Sequence, residues 1–475
     1  MARKRSRRSE RKVKASSPAA GKVVKRNDVD SIAREAYVWG WPLVNAANKR
    51  KIAAKLPNFL NPILVNGMPV AYQRIGMLTD YISPEERVTA CPNQDTVYGS
   101  GVFKLGKKGI VIQVPYFGRR YWVYALYDAR TNQFAHIGKQ YDTPENEFYL
   151  MVGPDWDGQI PNGIPAQNVL PASPTTLAFA IPRIFVKDTP EDRQAIQQSI
   201  SQIDFYPSKE FDGTMKTHDW ANEIPQIHMG RRKPSQNEIQ YVKPRRFFPN
   251  LRRVLKKLKA QPDEQDIYTR AKKLRRAWIL HRKQLETIAE EQESMIANTY
   301  MQWSNDGVAV SNGNNWYTSV NSAAWTFSDY IYRTATAKSN MFENRAEETR
   351  YYFTDTDSDI HSLNGGSRYI ISFKKGQLPP LADLGFWSLT LYDKSHFFYY
   401  PNTRNTYSLG TKNEDLKYNP DGSLDLYAGF NPPEPAKESN WLPAPSGEPF
   451  SLYLRVYRPD AASIGAWLPP QVKPY

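Results

Sequence analysis

The sequence predicts a mainly β protein with α content: two antiparallel β-sandwich or jelly-roll-like units joined by a helical segment. Three observations carry this. The chain holds 12 Trp, 29 Tyr and 20 Phe in 475 residues, and large aromatics favour pleated, half-buried surfaces over helices. Its 36 Pro and 26 Gly fall mostly between short apolar runs, as in Gly376-Gln377-Leu378-Pro379-Pro380, a pattern of short strands with irregular connections. One strand phrase also occurs twice, on either side of a polar, helix-prone middle.

Residues 1–27 have nothing to bury and are expected to form a disordered basic tail. The first β-rich domain is expected over 28–190. It opens with a short amphipathic helix after Asp30, with Ile32, Ala36 and Trp39 at helical spacing until Gly40 and Pro42 stop it. Strands follow at 101–105, 109–115 and 121–128. Their separators, Gly106-Lys107-Lys108-Gly109 and Tyr116-Phe117-Gly118-Arg119, are turn chemistry.

A helical basic connector is expected over 191–345. Within it, Ile267, Ala271, Leu274, Trp278, Leu285, Ile288 and Met295 form one stripe, which predicts a single long helix from Asp266 to Ala297. A second β-sandwich is expected over 346–475. There Trp387-x-x-x-Leu391-Tyr392-Asp393 echoes Trp122-x-x-x-Leu126-Tyr127-Asp128, and Asn405-x-Tyr407 to Leu409-Gly410 echoes Asn132-x-Phe134 to Ile137-Gly138. Two echoes in the same order read as two related β units, or as coincidence in an aromatic-rich chain.

The formal net charge of +15 is local. Residues 1–26 carry eleven Lys/Arg against Glu10, and residues 231–283 carry eighteen against four acids, so the remainder is net acidic. Cys91 is the single cysteine, which excludes an internal disulfide and any all-cysteine metal cage. No apolar run is long enough for a membrane helix, and the basic N-terminus has no apolar stretch behind it, so neither a span nor a signal peptide is expected. The expected setting is cytoplasmic or nuclear, and the expected assembly a homo-oligomer.

Phosphate-loop, nucleophile-elbow, His-Glu-x-x-His and dinucleotide signatures are missing from the sequence. Six scattered histidines do not point to a metal site, and none is expected. Asp355-x-Asp357-x-Asp359 imitates the opening of a calcium loop, but Ile360 stands where the loop glycine belongs and Gly366 where the bidentate glutamate belongs. It reads as a solvated turn.

The first candidate site is Asn93, Asp95, Tyr98, Arg120, Asp128 and Asn132, with Asp95, Asp128 and Arg120 as catalytic candidates. An Asp beside an Arg could orient a polar ligand or serve as a base; alternatively, these side chains bond nearby backbone and one another. The second is Trp387, Tyr392, Asp393, Trp441 and Arg455, with Tyr457, an aromatic cup for a ring or sugar-like ligand, or simply sandwich core.

The chain also resembles a known family. Glu35-Ala36-Tyr37-Val38-Trp39-Gly40-Trp41-Pro42-Leu43, Pro92-Asn93-Gln94-Asp95-Thr96-Val97-Tyr98 and Arg120 to Asp128 resemble the domain of unknown function 1254. Phe386 to Asp393, Asp421-Gly422-Ser423-Leu424, Asn440 to Pro445 and Leu454-Arg455-Val456-Tyr457 resemble the domain of unknown function 1214. The resemblance implies β-sandwich or jelly-roll-like domains joined by helices, and makes hydrolysis of a phosphorylated polyol-like ligand the first activity to test. Cofactors are not specified by any of this. The alternative function is a non-catalytic interaction protein whose basic tail binds a polyanion such as nucleic acid.

Overall fold

A computed structural model describes residues 29–55, 63–65, 68–86, 90–224, 226–227, 241–301, 310–311, 314–319, 322–326, 329–339 and 342–475. The expected tail therefore lies outside the described residues.

The first unit has strands β1 (Thr96–Lys104), β2 (Ile110–Val114), β3 (Trp122–Asp128), β4 (Gln133–Gly138), β5 (Glu147–Met151) and β6 (Leu177–Phe185). Gly118 supplies the positive φ of 62° at the turn before β3, which costs a glycine little. One sheet runs β1-β6-β3-β4 and the other pairs β2 with β5, all antiparallel. Asp204–Pro207 adds to β2, so this sheet reaches past residue 190.

The second unit has β7 (Thr349–Thr354), β8 (Arg368–Phe373), β9 (Leu381–Asp393), β10 (Ser408–Gly410), β11 (Leu424–Gly429) and β12 (Phe450–Pro459). Its sheets repeat the first, as β7-β12-β9-β10 and β8-β11. The registers repeat as well. Trp122 lies opposite Ile184 and Asp128 opposite Ala178, as Trp387 lies opposite Val456 and Asp393 opposite Phe450. Val123 faces Gly138 as Ser388 faces Gly410. The repeated phrase is thus the visible part of two topologically equivalent units.

The units also pack on each other through equivalent positions. Tyr121 and Phe386, each preceding its tryptophan, meet edge to face at 5.1 Å, and Phe386 stacks on Tyr457 at 4.2 Å. β3 is consequently buried at every residue, from Trp122 to Asp128. Simple in/out alternation fails there because both faces of the sheet are covered.

Helices α1 (Val29–Ala53), α2 (Phe247–Leu255), α3 (Gln265–Leu280), α4 (Arg282–Met301) and α5 (Tyr330–Ser339) pack together. Two expectations are corrected here. α1 does not stop at Gly40 and Pro42; it continues through both. A proline removes the hydrogen bond to the carbonyl four residues back, and that carbonyl, on Val38, accepts instead from Thr334 Oγ1 at 2.7 Å. Arg333 likewise donates to the Trp39 carbonyl at 2.9 Å.

The long helix is two helices, broken at His281, whose backbone leaves helical geometry. Ile279 and Leu280 lie in solvent at 73% and 75% exposure. The break re-aims the chain so that Ile267, Ala271 and Leu274 on one side and Leu285 and Ile288 on the other are all buried. Lys272, Arg275 and Arg282 face solvent as expected.

Glu264 ties this layer to the first unit. Buried, it accepts from Trp39 Nε1 at 2.9 Å and pairs with Arg130 in the β3–β4 turn. After the opposing effect of burial, Arg130 holds its carboxyl below the usual carboxylate range.

Candidate functional site

Each unit begins with an acid, a threonine, any residue and a tyrosine: Asp95-Thr96-Val97-Tyr98 and Glu348-Thr349-Arg350-Tyr351. In both, the segment leading into this first strand crosses to the other unit. The two crossings form a polar seam.

On one side of the seam, Asp95 is 1% exposed. Ser408 Oγ donates to its Oδ1 at 3.2 Å and Ser388 Oγ donates to its Oδ2, both from the second unit. Asn93 accepts the Asp95 N–H at 2.5 Å and donates to the Tyr457 hydroxyl. Arg455 Nη2 reaches the Cys91 carbonyl at 3.2 Å and the Tyr392 hydroxyl at 2.9 Å, while Nη1 donates to Thr390 Oγ1 at 3.1 Å. Tyr392 in turn donates to the Pro92 carbonyl.

On the other side, Glu348 is 0% exposed. Gln133 Nε2 donates to its Oε1 at 2.6 Å, and the Tyr141 hydroxyl donates to the same oxygen. Among the described residues, Oε2 has no hydrogen-bond partner. His136 Nδ1 stands 3.6 Å from Oε1, with its ring stacked on Tyr141 at 3.8 Å. Its side chain is 25% exposed, while Nδ1 itself is buried and has no hydrogen-bond partner among the described residues. Arg183 Nη2 donates to the Phe342 carbonyl at 2.5 Å, and Tyr127 donates to the Glu343 carbonyl at 2.8 Å.

His136 and Ser408 occupy equivalent positions, two residues before the paired glycines Gly138 and Gly410. The seam is therefore nearly two-fold in design but unequal in chemistry. Asp95 has both oxygens satisfied. Burial outweighs the two donors on Glu348 and pushes its carboxyl up to about 7, while burial and then Arg345 push His136 down to about 4. A carboxyl that keeps its proton near neutrality beside a neutral imidazole can donate or accept a proton.

Of the residues singled out in the sequence, the seam gathers Asn93, Asp95, Tyr392, Arg455 and Tyr457. Tyr98 lies opposite Arg183, its ring centroid 5.6 Å from the guanidinium carbon. The others lie elsewhere. Arg120 is not the partner of Asp95: it forms a bidentate pair with Asp192 at 2.6 and 2.7 Å. Asp128 accepts the N–H groups of Arg130 and Asn132 at 2.8 and 3.0 Å, and Asp393 those of His396 and Phe398 at 2.6 and 2.9 Å. Both act as turn formers. Asn132 brackets the Trp325 backbone, Trp387 packs against Phe373 in the core, and Trp441 Nε1 donates to the Gly429 carbonyl at 2.9 Å. These six therefore do not build a shared cup.

Asp357, Asp359 and His361 place ligand atoms within 4.8 Å of one another. Asp357 Oδ1, however, already accepts the N–H groups of Asp359 and His361 at 2.9 Å each, the pattern of a turn. Glu348, His136, Tyr141 and Arg183 were not identified from sequence. The signal was present: aligning the two units places Glu348 on Asp95 and Arg183 on Arg455.

Family models match two regions, a protein of unknown function (DUF1254) over residues 72–207 and a protein of unknown function (DUF1214) over residues 348–461. No curated protein matches the sequence. Among solved structures, the VPA0106 protein from Vibrio parahaemolyticus is 18% identical with a TM-score of 0.62, over 94% of this chain and 100% of that one, a likeness of fold. An uncharacterized protein from Burkholderia cenocepacia is 11% identical with a TM-score of 0.44, over 95% of this chain and 94% of that one.

Proposed function

Because the chain belongs to the family of paired domains of unknown function 1254 and 1214, whose descriptions carry no activity, we propose its function from the seam: a small-molecule-binding protein whose ligand is polar and anionic. The ligand meets the Glu348 side, and Glu348 exchanges a proton with it. The observation that supports this reading is the broken symmetry of the two carboxyls. Asp95 is fully satisfied, whereas its equivalent keeps a buried oxygen without a partner. A buried polar atom left unpaired costs about 1–3 kcal/mol, so its retention calls for a role.

Charge favours an anion. Among the described residues, neither Arg183 nor Arg455 forms a salt bridge, and both are buried. Both guanidiniums therefore stay available to an anion, against the buried acids Asp95 and Glu343 and a Glu348 carboxyl that is largely protonated below pH 7.

Phosphorylated polyols are the first compounds to test. In hydrolysis, water would form the new bond to phosphorus as the ester oxygen leaves, Glu348 would give that oxygen its proton, and the proton released by water would restore Glu348. Phosphate release from a panel of polyol phosphates would be measured for the wild type and Glu348→Gln. Loss of release in the variant, with retained binding, supports hydrolysis; binding without release by either protein leaves a binding protein.

The second reading, an interaction protein gripping a polyanion through residues 1–26, draws on their eleven Lys/Arg against one acid. Deleting that segment should abolish salt-sensitive binding to duplex DNA if the tail is the contact. Unchanged binding would reject it.

A further inference from the structure

Away from the seam, a cavity of about 420 Å³ opens between the last turns of α1 and α2 and the chain entering β6. Its floor is apolar, formed by Leu43, Ala47, Val254 and Leu258. Its rim is cationic: Arg50, Lys51, Arg253, Lys256, Lys257 and Lys259, with Lys104 across the mouth, and no carboxylate among the described lining residues. Of these cations only Lys259 is held in a salt bridge, to Asp155 at 2.7 Å, among the described residues.

Helix ends explain a part of this charge. The C-termini of α1 and α2 each carry about half a negative charge, which basic residues in a last turn complement. Two such ends make up roughly one charge, against seven cations. The surplus repels itself: partial burial and then Arg253, Arg50 and Lys55 lower the pKa of Lys51. A basic, apolar-floored hollow of this size is suited to a phosphate group attached to an apolar body.

Arg253 and Lys256 also line a second cavity, of about 450 Å³, on the other side of α2. That one is walled by Phe248 and Trp278, with Arg252, Lys272 and Arg275 at its rim. Two hollows sharing a cationic ridge, one of them aromatic, suit neighbouring nucleotides, whose phosphates would follow the ridge while the flat bases enter the hollows.

We propose that the cavity between α1 and α2 binds a nucleotide through its phosphates, with the base on the apolar floor. The nucleotide is either free or one unit of a single strand that continues into the second cavity. The site is independent of the seam.

The test is calorimetric titration of the full chain with ATP, pyrophosphate and a short single-stranded oligonucleotide. Two charge-removing pairs are compared with the parent chain, Lys51→Gln/Lys257→Gln in the first cavity and Arg252→Gln/Lys272→Gln in the second, with melting curves confirming the fold. A free nucleotide gives ATP binding weakened about tenfold per cation by the first pair alone, the weight of a charge-assisted hydrogen bond. A strand gives oligonucleotide binding weakened by both pairs. The proposal is overturned if neither ATP nor the oligonucleotide binds, if binding is the same in every variant, or if pyrophosphate binds as tightly as ATP.

Discussion

Arg183 and Arg455 occupy the same register position in two equivalent sheets: Arg183 lies opposite Tyr98 and Arg455 opposite Tyr351. Each guanidinium donates to the tyrosine one position before the strand-ending aspartate of its own unit, Tyr127 at 3.4 Å and Tyr392 at 2.9 Å. Each also holds a backbone carbonyl of the segment leading into the other unit, at Phe342 and Cys91. The two units are thus locked reciprocally.

Arg455→Gln and Arg183→Gln should each destabilise the fold by about 3 kcal/mol, because each leaves buried oxygens without donors. Urea unfolding measures this. A loss below roughly 0.5 kcal/mol, the level of a surface substitution, would show that the lock is dispensable.

The paired glycines provide a check on the equivalence of the units. A Cβ at Gly138 would come 2.6 Å from the Trp122 carbonyl oxygen, and one at Gly410 would come 2.1 Å from that of Trp387. Both obstacles are backbone, which cannot swing aside. Gly138→Ala and Gly410→Ala should each destabilise the fold by about 1–3 kcal/mol through overpacking, seen as a lower melting temperature, whereas alanine at Gly158, with nothing within 4 Å, should pay only for its φ of +81°.

Thr334→Val should cost about 1 kcal/mol by removing the donor to the carbonyl freed by Pro42. In the background Pro42→Ala, where the helix can supply its own donor, the same substitution should cost less. Equal costs in the two backgrounds, from a thermal-unfolding cycle, would mean that Thr334 acts in another way.

The raised pKa of Glu348 has a definite sign. The folded state holds this proton more tightly than the unfolded chain, so the associated stability is present below about pH 4.5 and is lost as pH rises through about 7. The groups around it are Tyr141, Gln133, Arg183 and Glu347, with His136 beside it. Glu348→Gln cannot ionise, so its stability relative to wild type should rise between pH 5 and pH 8, by about 3 kcal/mol at most. A difference that stays flat with pH would place the carboxyl at its ordinary value. His136, whose depressed pKa weakens the fold as pH falls below 6.5, is present in both proteins and largely cancels.

The repeated phrase around Trp122 and Trp387 made both β units legible because strand spacing and turn residues are local. Asp95, Asn93, Tyr392 and Arg455 stood out for the same reason, in motifs with recognisable residue types. Glu348 did not, since next to the exposed Glu347 it looks like any surface acid. Its burial comes from Gln133 and Tyr141, more than 200 residues away. Arg120 and Asp128 misled by the same logic. Asp192 satisfies Arg120 before any ligand could, and the turn amides occupy Oδ1 of Asp128, whose buried Oδ2 has no hydrogen-bond partner among the described residues. Pro42 reads as a helix stop until Thr334 arrives from a distant helix.

The most direct measurement on the seam is the melting temperature of wild type, Glu348→Gln and Arg183→Gln against a panel of phosphorylated and carboxylated polyols at pH 6 and pH 8. A ligand bound only by the folded state at 100 times its Kd stabilises wild type by about 2.7 kcal/mol. The expected result is such a shift for at least one anionic polyol in wild type, reduced in Arg183→Gln, and altered in its pH dependence in Glu348→Gln. Equal shifts in all three proteins, or none with any compound in the panel, would contradict a ligand site at the seam.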